Sequence, residues 1–290
     1  MDNSDPKFYE VMKYPVPLHK DLYRYINETE KKENNAATTP DIKKTFSRWT
    51  HSDLMTSYQE FLWTHGGFLK NIPFISQVYL CNSITFNGLH AWSDIDLCIV
   101  TKPWYLWYAR LWSWLFFSFL KLKRSAGFGD HSYKFCLSFY LDGENTNLIS
   151  LRQQDGDVYL SYRVAHSVLL YTNDTYPDNH LYAQNTQLLQ YLPHHPQSQT
   201  IFLDIDIIRG ESKVKKIIEK IGSSIPGQWA QTLIKKVWWW MINTYKTSKL
   251  SDYNKRHIII SPTMLKFHTD KRTVYQHKRK VASRKSKANW

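Results

Sequence analysis

Hydrophobic positions along this chain change period several times, and each change marks an element. From Ile42 to Leu69 the apolar residues Phe46, Trp49, Leu54, Tyr58, Phe61, Leu62 and Phe68 recur at helical spacing, with Gly66-Gly67 as a stop signal. A looser helical pattern covers residues 8–33 around Leu22, Tyr23, Tyr25 and Ile26, interrupted by Pro15 and Pro17. The polar, turn-rich stretch Lys31 to Asp41 separates the two as a linker. Short apolar runs then predict strands over Ile75 to Cys81, Ile95 to Val100 and Tyr133 to Leu141. The turn Asp142-Gly143-Glu144-Asn145 leads to an expected return strand over Leu148 to Leu151. Helical spacing predicts further helices over Trp104 to Leu122, Val158 to Tyr171, Ala183 to Leu192, Lys213 to Ile221 and Trp229 to Tyr245. Strands gathered in the centre with helices at both ends predict an α+β architecture. The organisation read from this is a helical region over 1–70, a central domain over 71–195, a helical region over 196–270 and a basic tail over 271–290.

Composition narrows the class. Cys81, Cys98 and Cys136 all fall inside apolar runs and form no C-x-x-C pair, which predicts buried free thiols and excludes a disulfide framework. The histidines show no metal-ligand spacing, and His194-His195 sits in a Pro-flanked loop expected at the surface. No basic segment followed by an apolar one opens the chain, so the expected location is cytoplasmic. The formal net charge of +13 is concentrated at one end, because Lys271 to Trp290 holds eight Lys/Arg and no acid. That tail is either a solvated segment or a contact for nucleic-acid phosphates. Pro103 to Leu120 is 18 residues with one charge, Arg110. A core helix with Arg110 paired or snorkelling is expected over a membrane span, for which the length is short and the charge costly. Trp238-Trp239-Trp240 is expected to pack in the core.

The chemistry concentrates in Val78 to Val100, VYLCNSITFNGLHAWSDIDLCIV. Asp94 and Asp96 are two apart at the start of a strand, so both carboxylates leave one face while Ile95, Leu97 and Ile99 point the other way. Paired acids on an apolar strand repel each other, and a divalent cation relieves that conflict; hard oxygen donors suit Mg²⁺, with Mn²⁺ as a substitute. The bland alternative is a solvated strand start.

With Asn82-Ser83 and Ser93-Asp94-Ile95-Asp96-Leu97 in place, the chain resembles the polymerase-β-like nucleotidyltransferase superfamily. In that superfamily a strand ending in Gly-Ser or Gly-Gly is followed, about ten residues later, by an Asp-x-Asp strand. The stretches CNS, SDIDLCIVTKPWYLWYARL, KFCLSFYL, DVYLSYRVAHSVLLY and SPTMLKFHTDKR are similar to a bacterial subgroup of it. Tyr14 to Ile26 is similar to the start of a winged-helix-like segment that some members carry. The resemblance implies a small mixed sheet and an enzyme moving a nucleoside monophosphate from an NTP to a hydroxyl acceptor. It implies that Asp94 and Asp96 hold Mg²⁺ and that Asn82 and Ser83 bind the triphosphate. Lys102, Lys121, Lys123 and Arg124 are cations in reach of phosphates. Two departures stand out. Asn82 replaces the usual glycine, and the strand Tyr133 to Leu141 offers Cys136 and Ser138 where a third carboxylate is expected, leaving Asp142, or Glu144 after it, as the nearest acid. A unit that binds nucleotide without turning it over is therefore the alternative.

Overall fold

A computed structural model describes residues 53–86, 89, 93–124, 132–151, 158–189, 205–249 and 259–267. The expected helix over 8–33, the winged-helix-like segment, the linker, His194-His195 and the basic tail lie outside them. The architecture is α+β: a seven-stranded mixed sheet with helices. In chain order come α1 (Asp53–Gly66), β1 (Ile75–Cys81), β2 (Ile95–Thr101), α2 (Leu106–Phe119), β3 (Phe135–Asp142), α3 (Val158–Ala165) and β4 (Val168–Thr172). The one-turn helices α4 (His180–Ala183) and α5 (Thr186–Leu189) follow, then β5 (Ile208–Arg209), α6 (Lys213–Gly222), α7 (Ile225–Lys249), β6 (Ile259–Ile260) and β7 (Met264–Lys266). The strand order is β5-β4-β1-β2-β3-β7-β6.

β1, β2 and β3 form where short apolar runs predicted them. β2 is central, and all of its residues are buried. Its Ile95, Leu97 and Ile99 enter a core shared with Tyr58 and Leu62 of α1 and Leu106 and Phe117 of α2. Its Cys98 and Val100 enter the second core, with Leu160 and Val164 of α3. The period-two alternation of a strand thus assigns the two faces, as the sequence pattern predicted. α2 is the crossover that lets β3 run parallel to β2. Arg110 of α2 donates to the Leu137 carbonyl at 3.1 Å and lies over the rings of Tyr140, Trp238 and Phe267. Of the three consecutive tryptophans only Trp238 packs in this way; Trp239 and Trp240 are exposed.

Several elements differ from the sequence reading. The expected helix Val158 to Tyr171 stops at Ala165, and Val168–Thr172 becomes β4, antiparallel to β1. Periodicity alone does not separate a short buried strand from a buried helix, and SVLLYT satisfies both. The expected return strand over Leu148 to Leu151 is instead a single 3-10 turn at Ile149–Leu151. β3 takes its other neighbour from β7, 122 or more residues later in the chain, with Tyr140 opposite Leu265. Residues 205–267 thus supply three strands of the same sheet besides two helices.

Lys215 ties α6 to that sheet. Its buried ammonium donates to the Ile75 carbonyl at 2.7 Å and to Tyr171 Oη at 2.8 Å, and it pairs with Glu211 at 3.1 Å. Lys102 completes the network, at 2.6 Å from Glu219 and 3.2 Å from Glu211. Glu219 also accepts the Phe74 backbone N–H at 2.6 Å. Burial pushes the Lys215 pKa down to about 8 against the pull of both carboxylates.

Candidate functional site

β1 and β2 run antiparallel with Cys81 opposite Asp96, so the end of β1 and the start of β2 meet at one margin of the sheet. β3 runs parallel to β2 with Cys136 opposite Asp96, which brings its start to the same margin. Asn82, the acid pair and Cys136 therefore converge from three separate segments. One ligand atom from each of Asp94, Asp96 and Cys136 lies within 4.8 Å of the others.

Asn82 adopts φ of 62°. That is the left-handed region, which glycine enters freely and asparagine more readily than other side-chain-bearing residues. Asn82 thus makes the turn that glycine would make, and its side chain gains a partner: Nδ2 donates to Asp96 Oδ2 at 2.6 Å. Thr85 Oγ1 donates back to the Asn82 carbonyl at 2.9 Å, closing the 3-10 turn Asn82–Phe86 in which Ser83 lies. On the other side, Tyr58 Oη donates to the Ser93 carbonyl at 2.5 Å, and Ile95 N donates to the Lys134 carbonyl at 2.8 Å. These contacts fix the chain on either side of Asp94.

Asp94 is half-buried and pairs with Arg124, whose guanidinium donates to Oδ2 at 2.5 Å. The backbone sets Arg124 in place by donating from its N–H to the Phe135 carbonyl at 3.0 Å. Burial opposes the charge on Arg124, but the neighbouring Asp94 outweighs it and the pKa rises. Cys136 Sγ donates to Ser138 Oγ at 3.3 Å. Burial pushes the Cys136 thiol pKa well up, and the charges of Asp96 and Asp94 push it further, so it is a neutral S–H. Asp94 and Asp96 offer hard oxygen donors of the kind Mg²⁺ or Mn²⁺ takes and Cys136 a soft sulfur; Oδ2 of each carboxylate is already engaged, by Arg124 and by Asn82.

Asp142 does not join this group. It pairs with Thr101 at the opposite end of β2 and β3, five positions from Asp96 and about 16 Å away at 3.3 Å per strand residue. There it accepts backbone N–H bonds from Trp104 at 2.8 Å and Glu144 at 3.1 Å, a turn-holding role that also takes Glu144 away from the acid pair. Lys102 belongs to the Glu211–Glu219 network at that same far end. Lys123 lies over the Trp114 ring at 5.8 Å, and the carbonyl of Lys121 accepts from Lys134 at 2.8 Å. Of the four expected cations, the described contacts bring Arg124 to the acids. Its docking on Asp94 has no sequence signature, because it depends on how the segment after α2 folds back onto β3. No family model, curated protein or solved structure matches this chain.

Proposed function

We propose that this margin of the sheet is a nucleotidyltransferase-type site that takes an NTP with Mg²⁺ and moves the nucleoside monophosphate to a hydroxyl acceptor. The observation that carries the reading is the convergence of a left-handed Asn82 turn with Asp94 and Asp96 across paired strands. Asp94 and Asp96 would hold the ion, which when bound would neutralise triphosphate charge and align the reacting oxygens. The backbone of the Asn82-Ser83 turn faces the β- and γ-phosphates. Asn82 holds the Asp96 carboxylate in one orientation, so less reorganisation is needed when charge develops. Arg124, which pairs with Asp94, would exchange that carboxylate for a phosphate oxygen when nucleotide enters. The acceptor hydroxyl gives up its proton to solvent as its oxygen bonds the α-phosphorus, the bond from the α-phosphorus to the α–β bridging oxygen breaks and pyrophosphate leaves.

A second reading has its own support. Cys136 stands opposite Asp96 where a third carboxylate would serve, and its neutral thiol supplies no charge. That favours a unit that binds nucleotide and turns it over slowly or not at all. Calorimetric titration with each NTP and Mg²⁺, alongside incubation of labelled NTP with cell extract, separates the two. Binding with labelled product and pyrophosphate release supports transfer, and binding alone supports the second reading. Unchanged nucleotide binding in Asp94→Asn overturns both.

A further inference from the structure

The helices α6 and α7 carry a feature that the site does not use. Ile217, Ile221, Ile225, Trp229, Leu233, Val237 and Met241 recur at every fourth residue across both helices and the turn between them, and all are exposed. Trp229 is 77 % exposed and Ile225 is 73 % exposed. Val214, Trp239 and Trp240 are exposed as well, so large apolar side chains occupy a broad arc of both helices, more than the scattered single exposures usual on a monomer's surface. The opposite faces are already committed: Lys215, Glu219 and Gly222 of α6 and Gly227 and Ile242 of α7 are buried against the sheet and its helices.

Charge identifies the occupant. Lys213, Lys216 and Lys220 form an exposed strip beside Val214, Ile217 and Ile221, and Lys235 and Lys236 are exposed on α7. The one acid on these two helices, Glu219, is buried and paired with Lys102. A two-fold contact with a second copy would bring two copies of these lysines into one interface with no exposed acid on either helix to pair them, and lysine is depleted in protein interfaces. Exposed apolar residues with tryptophans, bordered by lysines on α6, interspersed with Lys236 on α7 and free of exposed acid, match the boundary between acyl chains and anionic headgroups. No described helix is long and apolar enough to cross a membrane, so the contact is one of helices lying along the surface.

We propose that α6 and α7 dock the protein onto an anionic lipid bilayer, with their exposed isoleucines, tryptophans and leucine in the interface and the lysines on headgroup phosphates. The test is co-sedimentation of the full chain with phosphatidylcholine vesicles and with vesicles containing phosphatidylglycerol, while tryptophan emission is followed. Binding is expected with the anionic vesicles, weakened by salt and accompanied by a blue shift. Two variants, Trp229→Ser with Leu233→Ser and Lys213→Glu with Lys216→Glu, should each weaken it roughly tenfold or more while leaving circular dichroism and NTP binding unchanged. Absence of binding, or binding that survives both variants, overturns the proposal. A monomer–dimer equilibrium lost in the Trp229 variant without vesicle binding would assign the face to a second copy. Tryptophans shielded from iodide in a monomer that binds no vesicle would assign the face to another segment of the chain itself and overturn the proposal.

Discussion

Cys136 faces Asp96 across β2 and β3, so a carboxylate at that position would complete a three-acid site without moving the backbone. Cys136→Asp is expected to tighten Mg²⁺-dependent NTP binding and raise any pyrophosphate release at least tenfold, since one more hard donor joins Asp94 and Asp96. Isothermal titration and a pyrophosphate assay measure both. Asp142 instead braces the turn before α2 and the turn after β3 through its two carboxylate oxygens. Asp142→Ala is expected to leave nucleotide binding unchanged and to lower unfolding stability by about 1–3 kcal/mol, because two backbone N–H groups lose their charged acceptor. Urea denaturation alongside a binding titration separates those outcomes.

The attachment of α6 shows what an ion network does for an element. Burial opposes ionisation of Glu211, but the Asn173 hydrogen bond and the charges of Lys215 and Lys102 outweigh it and hold the pKa down at about 2, from 4.5. A depressed carboxylate contributes stability above its unfolded pKa, and that contribution is lost as pH falls through the folded value. The advantage of the wild-type chain over Glu211→Gln is therefore expected to be full above about pH 4.5 and to vanish toward pH 2. Urea midpoints across that window measure it, and a constant difference would show that Glu211 is not the titrating group. The apolar stripe of α6 and α7 belongs to this scale as well. The helical spacing of the sequence predicted both helices, but which face was covered depended on where Lys215, Gly227 and Ile242 dock.

Across the whole molecule, the sheet draws its strands from both sides of position 195. β7 pairs with β3 and β5 pairs with β4, so the segment 71–195 by itself leaves both of those strands with an open edge. It also lacks Tyr58 and Leu62 of α1 and the Lys215 network. A fragment of 71–195 is expected to aggregate or to lack cooperative unfolding, whereas the full chain unfolds cooperatively; size-exclusion chromatography and thermal circular dichroism distinguish them. A folded, monomeric fragment would show that the later strands are dispensable.

How much of this was legible varies with the range of the interactions. The α+β class, the three strands β1, β2 and β3, the assignment of Ile95, Leu97 and Ile99 to a core and the burial of all three cysteines followed from the sequence. Those features rest on local periodicity and side-chain hydrophobicity, which short segments carry by themselves. β4 was read as helix because an unbroken apolar run has no period to betray it. β7 was missed as the partner of β3 because its pairing spans most of the second half of the chain. For the site, Asn82, Asp94 and Asp96 were legible as residue types at a spacing, and so was the shortage of a third acid. Only the tertiary structure decided that Cys136 stands opposite Asp96, that Asp142 lies at the far end of the same strands, that Arg124 neutralises Asp94 and that α6 and α7 leave their apolar stripe outward. Each of these is set by strand register or by how one element packs on another, and such long-range geometry leaves no periodic trace in the sequence.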